Sequence, residues 1–264
     1  MHFFILGPSE IKSGDHVAQP KGAMQQLLFA SFMAVAGRLV TVETLADELW
    51  GTTPPNKMNN ALQAQISRLR RTLVRVDGGA ADRIITTVSG YQFNIHPGEL
   101  DAQVFLDSVG SIRASSEADP CRSAAELRRA IRLWRGPVFG GVAGGPLCRT
   151  AASKYEEARL SALELLYEIE LRSGEYARIV PELTETLSQN PMQEQFCGLL
   201  MIALYRSGRQ IDALQTYRQF RHRLNEELGV EPSPMLHSYE SAILEHDEAL
   251  LARTASLRSL SLRT

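Results

Sequence analysis

Residues 56–76, NKMNNALQAQISRLRRTLVRV, carry five basic side chains (Lys57, Arg68, Arg70, Arg71, Arg75) and no acidic one. Leu62, Ile66, Leu69 and Leu73 recur at spacings of four, three and four, which puts them on one narrow face of a helix. The opposite face then holds Lys57, Asn60, Ala64, Ser67, Arg68 and Arg71, with Gln63 at its margin. Arginine reads guanine bidentately, and asparagine or glutamine reads adenine in the same way. Ala64 is small enough to let the helix approach base edges or touch a thymine methyl. These are the requirements of a major-groove recognition helix. A solvated amphipathic helix gives the same pattern, so the flanking sequence has to decide.

Bulk charge does not decide it. The formal net charge of the 264 residues is −2. Residues 1–98 hold nine Lys/Arg against seven Asp/Glu, and the remainder holds 19 against 23. Positive charge is therefore a matter of one helix in a near-neutral half. Cys121, Cys148 and Cys197 stand at wide, unrelated spacings, which excludes a disulfide framework and a CxxC metal signature and suits a reducing cytosol. No HExxH and no His pair at i, i+4 occurs, and no apolar run approaches the roughly 18 residues of a membrane span. HFFIL at the start is too short and too lightly charged for a signal peptide. Neither a metal nor a cofactor is expected, nor an enzyme: Glu226 and Glu227 have no partner His and no nucleophile.

Residues 2–20 read as strands, with Gly7-Pro8 stopping the first and Ser13-Gly14-Asp15 turning between Ile11 and Val17. The period then changes to that of a helix. Met24, Leu27, Leu28, Phe32 and Val35 form the stripe, and Gly37 is its C′ position. Thr41 N-caps a second helix, with Leu45, Leu49 and Trp50 turned inward, and Gly51 ends it. Pro54-Pro55 forces a loop before the basic helix, because neither proline extends a helix. After Gly78-Gly79, residues 83–96 read as two strands about a Ser89-Gly90 turn, with Val88, Tyr91, Phe93 and Ile95 inward. Three helices followed by a two-stranded hairpin is the winged-helix plan.

Pro97-Gly98 marks the expected junction, after which strand signals vanish. Asp101 is placed to cap a helix reaching about Ile112, and Pro120 opens another through Leu127, Ile131 and Trp134. Residues 136–146, GPVFGGVAGGP, invite comparison with a phosphate cradle. Lacking a following Gly-Lys-Ser/Thr or an opening GxGxxG, they read as a flexible connection. Beyond Thr150 the chain reads as helical to about Leu250. Leu171-Arg172-Ser173-Gly174 and Tyr205-Arg206-Ser207-Gly208 lie 34 residues apart, the tetratricopeptide period. Ala213 and Tyr217 follow the second glycine at the small and aromatic positions, while Ile179 and Leu183 match more loosely and Pro181 is irregular. Residues 229–234, GVEPSP, close the array before a helix over 235–250. Residues 252–264 are small, polar and basic, the composition of a disordered tail.

The order MHFFILGP, ELWG, PP, ALQAQISRLRR and ITTVSGYQF resembles the OmpR-type winged helix. LWRGP, MIALYRSGRQIDAL and ELGVEPSP are similar to the bacterial transcriptional activator domain. Together they resemble the Streptomyces antibiotic regulatory protein family of pathway-specific activators, over roughly residues 2–245. The expected fold is an α+β winged helix-turn-helix domain over 1–98, followed by an all-α tetratricopeptide-like domain over 99–250, with 251–264 as the tail. The resemblance implies a cytoplasmic, nucleoid-associated activator of a secondary-metabolite gene cluster. It would bind promoter direct repeats as tandem copies and recruit RNA polymerase through the sigma factor and other subunits. The turn over 50–57, with Thr52, Thr53, Pro54, Pro55 and Asn56, is implied as the polymerase contact. No receiver domain is expected, nor kinase control of the response-regulator kind, and the wing, with only Ser89-Gly90 between its strands, reads as shorter than a response regulator's.

The DNA-contacting set expected from the residues is Lys57, Asn60, Gln63, Ala64, Ser67, Arg68 and Arg71, with Ser89 and Gly90 at the wing. Arg68 or Arg71 is expected to read guanine. Arg70 and Arg75 lie nearer the buried edge and suit phosphate contact or intramolecular pairing. Trp50 and Trp134 read as core. A tetratricopeptide-type adaptor that binds protein and no DNA is the alternative. It leaves an acid-free basic helix and a wing without a purpose.

Overall fold

The computed structural model describes residues 1–115, 119–247 and 250; the tail expected over 251–264 lies outside them. The chain forms two compact units. One is Met1–Ser111 with Arg128–Ser161, and the other is Ile112–Leu127 with the described residues from Ala162 onward. The plan is the expected one, a winged helix with a small N-terminal sheet and then an all-α region.

In the first unit, β1 (His2–Phe4), β2 (Glu10–Ser13) and β3 (His16–Ala18) form an antiparallel sheet, with Phe3 opposite Ile11 and Ser13 opposite His16. Gly14, at φ 56°, makes the tight turn. Then come α1 (Ala23–Ala34), β4 (Leu39–Thr41), α2 (Val42–Trp50) and α3 (Met58–Val76). A 3-10 turn over Ala80–Arg83 leads to β5 (Ile84–Thr86) and β6 (Gly90–Phe93). Thr41 caps α2 as expected, its hydroxyl accepting from the Thr44 N–H at 3.2 Å, and Gly51 closes it at φ 55°. The core is aromatic at its centre. Phe93 meets Phe3 edge-on at 5.2 Å and Phe32 at 5.7 Å, and Leu28, Leu45, Leu62, Ile66 and Leu69 are buried in the same unit.

The wing differs from the expectation in two ways. It has three strands, in the order β4-β6-β5, because Leu39–Thr41 pairs with β6 before entering α2. Three residues with no alternation of their own give no periodicity to read. The tip is also one residue earlier than expected. Thr86 pairs with Tyr91, Thr87 donates to the Gly90 carbonyl at 2.9 Å, and Val88-Ser89 makes the turn. Val88, expected inward, is fully exposed there. Tyr91 and Phe93 are buried, Ile95 half-buried. Gly90 has a packing reason instead: a Cβ there would overlap the carbonyl oxygen of Val40.

The first unit also takes up segments beyond Pro97-Gly98. Phe3 N–H donates to Glu99 O at 2.7 Å, and Glu99 pairs with both Arg83 nitrogens at 2.7 Å. Burial pushes the Glu99 carboxyl up, yet the Arg83 and His96 hydrogen bonds outweigh that and hold it below the usual range. Asp101 opens α4 (Asp101–Ser115) and is buried. Its carboxylate accepts from Ile5 N–H at 2.9 Å, Leu6 N–H at 3.1 Å and Ala102 N–H at 2.8 Å. Burial dominates its titration and raises its carboxyl pKa despite those bonds.

After α5 (Pro120–Ile131), the glycine-rich loop is a close-packed seam, not the flexible connection expected. Arg135 and Phe139 N–H groups donate to Leu6 O at 2.6 Å and Ile5 O at 2.8 Å. A Cβ on Gly7 would sit 2.8 Å from Arg135 Cβ, and one on Gly145 would sit 2.6 Å from Glu48 Oε1. Glu48, buried on α2, accepts from Leu147 N–H at 2.6 Å and so caps α6 (Pro146–Ser173). Trp134 is half-buried, edge-on to Phe105 at 5.6 Å, and Trp50 is half-buried too.

The second unit takes the rest of α6, then α7 (Tyr176–Gln189), α8 (Glu194–Arg206), α9 (Gln210–Leu228) and α10 (Pro234–Leu244). The 34-residue spacing is real at the level of hydrogen bonds. Gly174 and Gly208 both have positive φ. Past each, the next N–H reaches five residues back, Glu175 to Glu170 at 3.0 Å and Arg209 to Leu204 at 2.9 Å. That is the same 6→1 helix ending twice. Ile179, Leu183, Ala213 and Tyr217 are all fully buried. The last helix ends at Leu244, earlier than the expected 250, with Glu245 at its C-cap.

Candidate nucleic-acid interface

α3 buries Leu62, Ile66, Leu69, Thr72, Leu73 and Val76 against the winged-helix core. At about 100° per residue this leaves one continuous outer face. Lys57, Asn60, Gln63, Ala64, Ser67, Arg68 and Arg71 are all exposed on it. The first turn carries no acidic residue, and the helix has none anywhere in its length.

Two side chains fix how the helix is set. Gln25 of α1, buried, donates to Gln65 O at 3.1 Å and to Gln65 Oε1 at 2.6 Å. Arg70 Nη2 donates to Ile84 O at 2.7 Å and Thr86 Oγ1 at 2.9 Å, tying α3 to β5. Of the two readings open for Arg70, the structure realises intramolecular pairing. Arg75 is exposed, in line with Lys57 and Arg68, and donates to Thr72 Oγ1 at 3.1 Å.

At the wing, Ser89 is exposed beside Val88. Gly90 is buried beneath β4, so it offers no surface for DNA. The turn after α2 is fully open: Thr52, Thr53, Pro54, Pro55 and Asn56 are all exposed, with Thr53 N–H donating to Trp50 O at 3.1 Å. Lys21 was not anticipated. It precedes α1, is exposed, and lines a hollow of about 740 Å³ with Arg68, Arg70, Arg71 and Arg75. Its distance of 47 positions or more from those arginines hides it from any local pattern.

Among the described residues no cluster of three or more His, Cys, Asp or Glu is placed to hold a metal ion, and no helix is long and apolar enough to cross a membrane. Cys148 and Cys197 are buried thiols, and burial above all pushes both up to about 12. Neither is an activated nucleophile at neutral pH.

Comparison with known proteins identifies the domains. The family described as "Transcriptional regulatory protein, C terminal" matches residues 22–93, and "Bacterial transcriptional activator domain" matches residues 100–244. The chain is 41% identical to Transcriptional regulator RedD of Streptomyces coelicolor, over 96% of this chain and 73% of RedD. It is 34% identical to Regulatory protein DnrI of Streptomyces peucetius, over 95% and 94%. Regulatory protein AfsR of Streptomyces coelicolor matches at 35% over the whole chain, which spans 26% of AfsR. In fold it is similar to Mycobacterium tuberculosis EmbR, solved in complex with a low affinity phosphopeptide. The TM-score is 0.85 at 24% identity, over 100% of this chain and 71% of that one. With both domain families matched in order and two relatives aligned over most of their length, the chain belongs to the Streptomyces antibiotic regulatory protein family of DNA-binding transcriptional regulators.

Proposed function

We propose that this protein activates an antibiotic or other secondary-metabolite gene cluster from the cytoplasm, by laying α3 in the major groove at promoter direct repeats. The observation that carries the reading is the outer face of α3, with Lys57, Asn60, Gln63, Ala64, Ser67, Arg68 and Arg71 exposed on an acid-free helix. Ser89 and Val88 at the wing tip stand ready to touch the backbone beside it. The open turn of Thr52, Thr53, Pro54, Pro55 and Asn56 is the surface that meets RNA polymerase, and the helical region supplies further protein contacts.

Two copies on a direct repeat lie head to tail, so one surface of the first meets a different surface of the second. Both then have to occupy one face of the duplex, with repeats starting about 10–11 bp apart, roughly 34–36 Å. Gel-shift cooperativity on three spacings tests this. Inserting about 5 bp turns one copy to the far side and abolishes cooperativity, and a whole extra turn restores the face but leaves the gap too wide. Undiminished cooperativity after the half-turn insertion rules the arrangement out.

A further inference from the structure

The basic hollow beside α3 divides that helix by task. Five of its lining residues, Lys21, Arg68, Arg70, Arg71 and Arg75, are cationic, and no described lining residue is acidic. Arg70 is committed to β5, and Arg75 reaches Thr72. The charged side-chain ends of Lys21, Arg68 and Arg71 have no hydrogen-bond or ion-pair partner among the described residues. The exposed like charges repel one another, and a bound anion relieves that repulsion while gaining from all of them at once. α3 points to which anion. Its 19 residues span about 28 Å. A straight helix of that length cannot follow a groove that winds once round the duplex in about 34–36 Å, so one end leaves the base edges and passes the sugar-phosphate backbone. The amides Asn60 and Gln63 lie in the first half, while Arg68, Arg71 and Arg75 lie in the second, beside Lys21.

We infer that Asn60, Gln63, Ala64 and Ser67 read base edges, and that the hollow of Lys21, Arg68, Arg71 and Arg75 seats a backbone phosphate. This rests on the DNA-binding reading above and moves Arg68 and Arg71 from base reader to backbone grip. Lys21, from outside the recognition helix, is part of that grip.

The test uses the full-length chain and a random-sequence duplex for salt dependence, with operators selected from a duplex pool for base preference. Lys21→Ala and Arg71→Ala each make the slope of log affinity against log salt shallower by about 0.9, with base preference kept. Asn60→Ala or Gln63→Ala keeps the slope and relaxes preference at one base pair about tenfold. An unchanged slope in Lys21→Ala overturns the inference while Asn60→Ala still loses preference. If no substitution on α3 alters slope or preference, the DNA-binding reading itself fails. Titration with tripolyphosphate separates the two sources of phosphate: tight binding that Lys21→Ala abolishes, with the DNA slope intact, assigns the hollow to a small anion and overturns the proposal.

Discussion

A methyl group added at Gly90 would overlap the carbonyl oxygen of Val40 and crowd Thr41 Cα at 2.8 Å. Both are backbone, so neither can swing aside, and the β4–β6 ladder has to open instead. Gly90→Ala is therefore expected to destabilise by about 1–3 kcal/mol, while Ser89→Ala on the exposed tip stays within about 0.5 kcal/mol. Urea unfolding followed by tryptophan fluorescence checks it, and equal midpoints for the two variants would refute the packing account. The same residue marks a limit of sequence reading. A Ser-Gly pair between β-rich runs looks like a turn because glycine is usually there for its φ. Gly90 has no positive φ, and it is there because β4 passes over it. Nothing local records a close approach to a segment 50 positions away.

At the scale of the element, helices announced by their own ends were legible. Thr41, Gly51, Pro54-Pro55 and the paired glycines at 174 and 208 act within one turn of themselves, so the sequence carries them whole. The face of α3 was legible for the same reason, since a periodic pattern belongs to one helix. What stayed hidden depends on distant partners: β4, Lys21, and the cap on α6. That helix carries 28 residues, and its first turn leans on Glu48 of α2, whose carboxylate takes the Leu147 N–H at 2.6 Å and the Cys148 N–H at 3.3 Å. A carboxylate there also meets the positive end of the helix. Glu48→Ala leaves both donors unsatisfied in a buried place and should cost about 1–3 kcal/mol, with Glu48→Gln recovering part of it through one acceptor. The first unfolding transition of the full chain is the measurement. An alanine variant within about 0.5 kcal/mol of the parent would show that solvent caps α6 instead.

For the whole molecule, the compact unit that holds the winged helix takes up chain beyond Pro97-Gly98. Residues 1–98 contain its three helices and wing, which makes an independent fragment the natural expectation. Cutting there removes Asp101 from Ile5 and Leu6, Arg135 and Phe139 from the carbonyls of β1's continuation, and both partners of Glu48. The 1–98 fragment should unfold at clearly lower urea than a 1–161 fragment, which keeps all of these bonds. Coincident midpoints would restore 1–98 as self-sufficient.

The unit that carries α3 is built from two stretches of chain, Met1–Ser111 and Arg128–Ser161, with residues of the other unit threaded between them. A gene crossover at the Pro97-Gly98 boundary would then deliver a DNA reader stripped of its own seam. Exchange of the whole reader by one crossover at that boundary is disfavoured on physical grounds, whereas one placed after Ser161 carries both stretches. On the proposed role of α3, retargeting falls to point substitution on its outer face, and a chimera that moves only this unit needs three junctions, after Ser111, before Arg128 and after Ser161.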